Sequence, residues 1–313
     1  MINFRYHVVS ILAVFLALAI GTVMGASFVG RGVIDRLQTQ IDDVRGNANK
    51  EHDDNERLQG ENDRLNAYVK ATQNFAVARA LVGVRVNVVV ERGTEGSTVD
   101  EQVALLRQAG ASVPGVVWLE DAWALDTADS PKALRDATGL TNRSKPALRT
   151  AAARLLGQRL AASAPVTDDV LTKLVDAKFV TLAGASGSPN PSATDFVGAL
   201  TRVLEIGGPG HGVPIDVVPA VAAGALDASA AVAVGEAFVA SDQGPDRSAW
   251  IDAIADADGL RDRISTIDDV ELVEGRVGAT LALSELGLGT VGNYGIGRDR
   301  AVPEKLPTVP SAK

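Results

Sequence analysis

The chain contains no cysteine. That excludes a disulfide framework, a thiolate metal site and a cysteine nucleophile. Histidine and methionine are scarce as well. The three histidines, His7, His52 and His211, and the two methionines, Met1 and Met24, are scattered along 313 residues. Soft copper sites draw on clusters of Cys, Met or His. These spacings assemble no such cluster within one protomer, so no metal-ligating residues are expected. Basic residues are the minority: 30 Lys and Arg stand against 39 Asp and Glu, for a formal charge of −9. An acidic chain does not attract a phosphate backbone, which excludes nucleic acid as a partner. No internal repeat is visible.

What the chain does have is one long uncharged run, Val8–Gly30, VVSILAVFLALAIGTVMGASFVG. As a helix it would be about 34 Å long, enough to cross a hydrocarbon core of about 30 Å. It exceeds the core of a cleaved signal, about 7–15 residues, so a retained single-pass anchor is expected, after a short N-terminal region at 1–7. Arg31, Arg36 and Arg45 follow the run and only Arg5 precedes it. Counted literally, those charges place the C-terminal side inside. Long domains cross largely regardless of such counts, and an extracytoplasmic C-terminal domain is expected. Ala13, Ala17, Gly21 and Gly25 lie four apart, and the Gly21–Gly25 pair would let two such helices approach closely in lipid.

A heptad pattern follows at 31–72. With Leu37 at d, the a positions are Ile34, Ile41, Ala48, Asn55, Asn62 and Val69. The d positions are Val44, Glu51, Leu58 and Leu65. A sustained 3.5-residue period predicts a left-handed coiled coil. Asparagine at a pairs with its own copy across a parallel two-stranded seam, which weakens the coil and fixes its register. Asn55 and Asn62 therefore favour a parallel homodimer, softened in the middle by Glu51 at d. The expected dimer contacts are Leu37, Ile41, Val44, Ala48, Asn55, Leu58, Asn62, Leu65 and Val69, with Gly21 and Gly25 in the membrane.

Beyond Leu81 the pattern becomes α/β. Strands are expected at Val84–Val90, Val116–Leu119, Phe179–Ala183, Val217–Ala223, Ala231–Val234 and Val277–Leu283. Helices are expected at Thr98–Ala109, Pro146–Ala161, Asp168–Asp176 (capped by Thr167), Asp195–Glu205 and Ser248–Ala255. Strands alternating with helices predict a helix-flanked, mostly parallel sheet over 81–297. The proline-bearing tail 298–313 is expected to be disordered.

Few motifs carry chemistry. Gly287-Leu-Gly289-Thr-Val-Gly292 matches a dinucleotide fingerprint, but no helix follows whose N-terminus could meet a pyrophosphate. A glycine-rich turn is expected instead, and no cofactor. Gly184-Ala-Ser186-Gly187-Ser188 lacks the last glycine of a nucleophile elbow. The only downstream histidine, His211, lies in the loop Gly207–Gly212, so no catalytic residues are assigned. Both loops follow apolar segments and could line a ligand pocket. Asp268-Asp269 is expected to be a solvated charge pair.

The segments NFRYHVVSILAVFLALAIGTVMG, ISTIDDVELVEGRVGATLAL (Ile264–Leu283) and GTVGNYGIG resemble the actinobacterial copper-transporter family of MctB type, which includes the cell-division protein SteB. The resemblance implies a cell-envelope protein and two accounts of its function. One is a non-enzymatic dimeric scaffold in septal wall remodelling and cell separation, partnered by a SteA-like membrane protein and a peptidoglycan hydrolase. The other is copper efflux through a pore in a mycolate outer membrane. One apolar helix per chain and a parallel α/β domain make no obvious pore, so the scaffold is the expectation. Copper transport is the alternative and a small-ligand-binding domain the second alternative.

Overall fold

The structure is a computed structural model that describes residues 4–184, 188–209, 212–237 and 249–295. The expected tail at 298–313, His211 and the Ser186-Gly187 pair lie outside the described residues. The chain divides into two units, Met1–Ala67 and Tyr68–Lys313.

The first unit is helical throughout its described residues, as part of α1 (Phe4–Ala76). Its apolar span is Phe4–Gly25, all of it exposed. At 22 residues it is about 33 Å long. Nothing in the unit folds back on it: Ile11, Leu12, Phe15, Leu18 and Ile20 are each more than half exposed. Apolar side chains bare along a helix of this length fit a lipid environment and would be strongly disfavoured in water.

The second unit holds a seven-stranded sheet in the order β3-β2-β1-β4-β5-β6-β7. The strands are β1 (Arg85–Glu91), β2 (Val116–Leu119), β3 (Val180–Ala183), β4 (Thr201–Gly207), β5 (Ala231–Glu236), β6 (Ile264–Ile267) and β7 (Asn293–Tyr294). All neighbours pair in parallel except β2 with β3. The helices are α2 (Gly96–Gln108), α3 (Ser130–Thr138), α4 (Lys145–Leu160), α5 (Val170–Asp176), α6 (Val217–Asp227), α7 (Ala249–Asp256) and α8 (Val273–Leu286).

Helices cover both faces. Val89, Val203, Val232 and Val234 point to the face carrying Leu148, Leu156, Leu174 and Val221. Val86, Val88, Val90, Leu204 and Ile206 point to the face carrying Val103, Leu106, Leu281 and Leu283. A strand buried on both faces reads as a continuous apolar run, which is the pattern of Val86–Val90. Asn87 is the polar exception, fully buried, and its amide donates to the carbonyls of Leu160 (2.6 Å) and Phe196 (3.1 Å). On the first face α4 and α6 approach backbone to backbone. A methyl at Gly157 would fall on the Val221 carbonyl oxygen, and one at Gly224 on that of Arg154.

Three expected elements change type. Val217–Ala223 is the start of α6, not a strand. Val277–Leu283 lies inside α8. Asp195–Glu205 is not a helix: a 3-10 turn at Ala193–Phe196 is followed by the central strand β4. The cause in the first two is burial on nearly every side, which removes the polar stripe that marks helical period. The cap of α5 also moves, since the Asp169 carboxylate, not Thr167, accepts the Leu171 N–H at 3.0 Å. Gly287 follows helix α8 rather than a strand, and Gly287–Gly292 leads into β7 with Gly289 at φ +81°.

Candidate functional site

The chain runs from β1 outward to β2 and β3, then returns to lay β4 on the other side of β1. The crevice between the carboxyl ends of β1 and β4 is thus the switch point where open α/β sheets bind ligands. Three glutamates lie at this end of adjacent strands. Glu91 ends β1, Glu205 is two residues from the end of β4, and Glu236 ends β5. Side chains alternate along a strand, so Glu91 shares a face with Val89, Glu205 with Val203, and Glu236 with Val234. All three glutamates therefore project to the α4–α6 face. All are buried, at 1%, 2% and 0% exposure.

Gly207 and Gly208 shape the crevice. Gly207 pairs with Glu236 across β4 and β5. The Glu91 carboxylate folds over Gly207, where a Cβ would strike its Oε2. That oxygen accepts the Gly208 N–H at 3.0 Å. Glu205 sits below, and neither of its carboxylate oxygens has a hydrogen-bond partner among the described residues. Burial, with a smaller repulsion from Glu91, raises its carboxyl well above the ordinary value. An unsatisfied buried carboxyl costs free energy, and its presence calls for an explanation.

Several charged groups among the described residues are paired. The Arg92 guanidinium donates to both oxygens of Glu120 at 2.9 and 2.5 Å, and lies 4.6 Å from the Trp118 ring centre. That hydrogen bond holds Glu120 below the usual carboxylate range. Arg149 grips Asp216, the residue before α6, at 2.7 and 2.6 Å. Arg276, near the start of α8, pairs with Glu101 at 2.6 Å. Asp268 and Asp269 are not solvated as expected but buried, at 0% and 3% exposure. They follow β6, and a Cβ on Gly275 in the first turn of α8 would strike the Asp269 carbonyl. Among the described residues, no group of three or more His, Cys, Asp or Glu side chains could hold a metal ion.

The sequence pointed to this crevice through the loop Gly207–Gly212 but missed its carboxylates. The available signal was a lone acid closing an apolar run: VNVVVE, VLEIG and AVGE. The other loop, after β3, borders an open cleft of about 400 Å³ lined by Arg85, Pro189, Asn190 and Asp195. The expected dimer residues lie elsewhere, on α1. Leu37, Ile41, Val44, Leu58 and Leu65 are exposed at 47% or more. Ala48, Asn55, Asn62, Gly21 and Gly25 are exposed too, and Val69 is half-buried.

The comparisons with known proteins cover the chain almost end to end. The family described as "Copper transport outer membrane protein, MctB" matches residues 1–303. This chain belongs to the MctB family. Relatives named "Copper transporter MctB" occur in Mycobacterium tuberculosis and Mycobacterium bovis. Each is 28% identical over 95% of this chain and 97% of the relative. The MctB match spans both units, the apolar helix as well as the sheet.

Proposed function

We propose that the protein is a non-enzymatic, membrane-anchored component of copper transport in the cell envelope. The observation that carries this reading is the family match over residues 1–303, with copper transporters similar along nearly their whole length. It reverses the order of the two accounts weighed from the sequence, since the relatives are named for copper transport and not for cell separation. The α/β unit is the extracytoplasmic part, and Phe4–Gly25 is its anchor.

The unit is not itself the conduit. A sheet whose edge strands β3 and β7 have no strand partner among the described residues does not suit lipid, where backbone groups need closed pairing. Its buried ionisable groups are mostly carboxylates, which suit hard or borderline cations better than Cu(I). The test is a strain lacking the gene, scored for copper tolerance and for cellular copper content. Lower tolerance with higher retained copper is expected, both restored by the full chain. Unchanged copper handling together with unseparated daughter cells would refute the reading and return the septal account.

The stripe of Leu37, Ile41, Val44, Leu58 and Leu65 is bare on α1. With Asn55 and Asn62 in register, that stripe suits a second copy of the chain held parallel in the same membrane. A parallel homodimer is compatible with either account. A SteA-like partner and a peptidoglycan hydrolase belong to the septal one alone.

A further inference from the structure

Strand β3 is an edge of the sheet, and its pairing with β2 tells which of its backbone groups face outward. The Glu120 N–H donates to the Phe179 carbonyl at 3.0 Å across the antiparallel pair. Bonded and non-bonded pairs alternate along such a ladder. Phe179, Thr181 and Ala183 therefore turn their backbone groups to β2. Val180 and Leu182 turn theirs outward, where no strand pairs among the described residues. A cleft of about 440 Å³ borders Val180, Thr181 and Leu182 in succession. Consecutive side chains on a strand point to opposite faces, so a space that touches all three lies beside the edge. Thr172 and Val175 of α5 form one of its walls.

Natural sheets blunt an open edge with charge, proline, a bulge or shortness. At the other edge, β7 has only two residues. β3 reads Val-Thr-Leu-Ala, without charge or proline. What limits it is its two ends. Lys178 stands at φ +62°, out of the extended conformation. The Gly184 N–H, next in the outward series, donates to Asn190 Oδ1 at 3.1 Å. The open window is thus two outward residues with Thr181 between them.

The geometry points to a second copy of this chain as the occupant, its β3 paired antiparallel with this one about a two-fold axis at Thr181. In that register Val180 exchanges both backbone bonds with the second copy's Leu182, and Leu182 with its Val180, four bonds in all. No other self-pairing fits the window. Centring on Val180 would need Lys178 extended, and centring on Leu182 would need the Gly184 N–H that Asn190 holds. Thr181, which is exposed, faces its own copy. Val180 meets the other Leu182 on the α4–α6 face, where both already pack. Thr–Thr and apolar pairs across strands are favourable, and no like charges meet. A longer foreign strand gains no further bond from so short a window, whereas the anchor confines copies of the chain to one membrane.

The inference rests on the sheet unit, not on the copper reading or the heptads. Copper tolerance, cross-linking along α1 and cross-linking at β3 can each fail alone.

The test uses the full chain, free of native cysteine, in its own membranes. Thr181→Cys sets two thiols across a non-bonded pair with Cα atoms about 4.5 Å apart, within the span of a disulfide. Mild oxidation should turn most of it into a dimer on non-reducing gels. Ser97→Cys, also exposed but on α2, should stay monomeric. Adding Leu182→Pro to Thr181→Cys removes an outward N–H, which an edge strand tolerates. It should cut the cross-link at least tenfold while the tryptophan fluorescence of the folded protein is kept. A Thr181→Cys dimer no more abundant than that of Ser97→Cys, a cross-link undiminished by Leu182→Pro, or capture of Thr181→Cys on a different protein would each overturn the proposal.

Discussion

Replacing Glu205 by glutamine should stabilise the protein, and by more as pH rises. Glu205 is buried between β1 and β5 with no donor to its oxygens among the described residues, and burial lifts its carboxyl well above the ordinary 4.5. The native chain thus keeps a proton that the unfolded chain loses near that ordinary value. Above it the native state binds more protons, so wild-type stability falls as pH rises, until the native carboxyl itself ionises. One proton corresponds to about 1.4 kcal/mol per pH unit. Between about pH 5.5 and 7.5 the advantage of Glu205→Gln should therefore widen by up to about 2.7 kcal/mol. Glu91, Glu236, Asp121 and Asp216 face the same end of the sheet and stay in both proteins, so the difference reports Glu205 together with its repulsion by Glu91. The assay is urea denaturation across that range, followed by tryptophan fluorescence. Trp118, Trp123 and Trp250 all lie in the sheet-bearing unit and report its unfolding. Parallel stability curves, or a variant less stable at every pH, would refute the reasoning, because Glu205 would then hold a matched charge.

Two further outcomes follow from packing. Because the chain has no native cysteine, single cysteines at the a or d positions Ile41, Asn55 and Leu58 should form disulfide-linked dimers in membranes. Cysteine at Gly60, an f position, should not, and equal cross-linking at all four, read on non-reducing gels, would count against the parallel seam. Gly157→Ala should destabilise the sheet unit by about 1–3 kcal/mol through overpacking of α4 on α6, less about 1 kcal/mol of helix propensity regained. Gly278→Ala in α8 is the control. Its methyl meets nothing within 4 Å, so its denaturation midpoint should hold or rise.

The α/β class, β1, β2, β3, α2, α4 and α5 are legible because each shows a clean period or a β-branched run. Where the reading failed, the local signal was erased by burial on all sides. In α6 the sequence VVPAVAAGALD is apolar almost throughout. It has neither a polar stripe nor a strand-like alternation, and its length decides in favour of a helix only after the fact. Glu205 made the opposite error easy. A charged residue interrupts the strand-like run TRVLEIG, and Asp195–Glu205 reads locally as a helix. The same residue is the one that defines the crevice. Local rules fail most readily where a polar group is held inside the core, since neither propensity nor pattern places a glutamate there.

The family is described by an outer-membrane location and the fold supplies a parallel sheet, and the two agree only if the membrane-crossing part is the helix. All backbone pairing of Phe4–Gly25 is internal to one segment, as lipid requires. The sheet instead leaves the outer edges of β3 and β7 without strand partners among the described residues. The division of labour can be read directly by exchanging Phe4–Gly25 for an unrelated single-pass apolar helix while keeping the rest of the chain. If the helix is only an anchor, the exchanged chain should restore copper tolerance to the strain lacking the gene. If several copies of the helix line a conduit, the protein should reach the membrane, fold its sheet unit and still fail to restore tolerance. The anchor outcome is expected, because between Val8 and Gly25 the span has no charged side chain, and only Ser10, Thr22 and Met24 could replace part of an ion's hydration. A conduit with so few ligands would leave most of the ion's desolvation cost as its barrier.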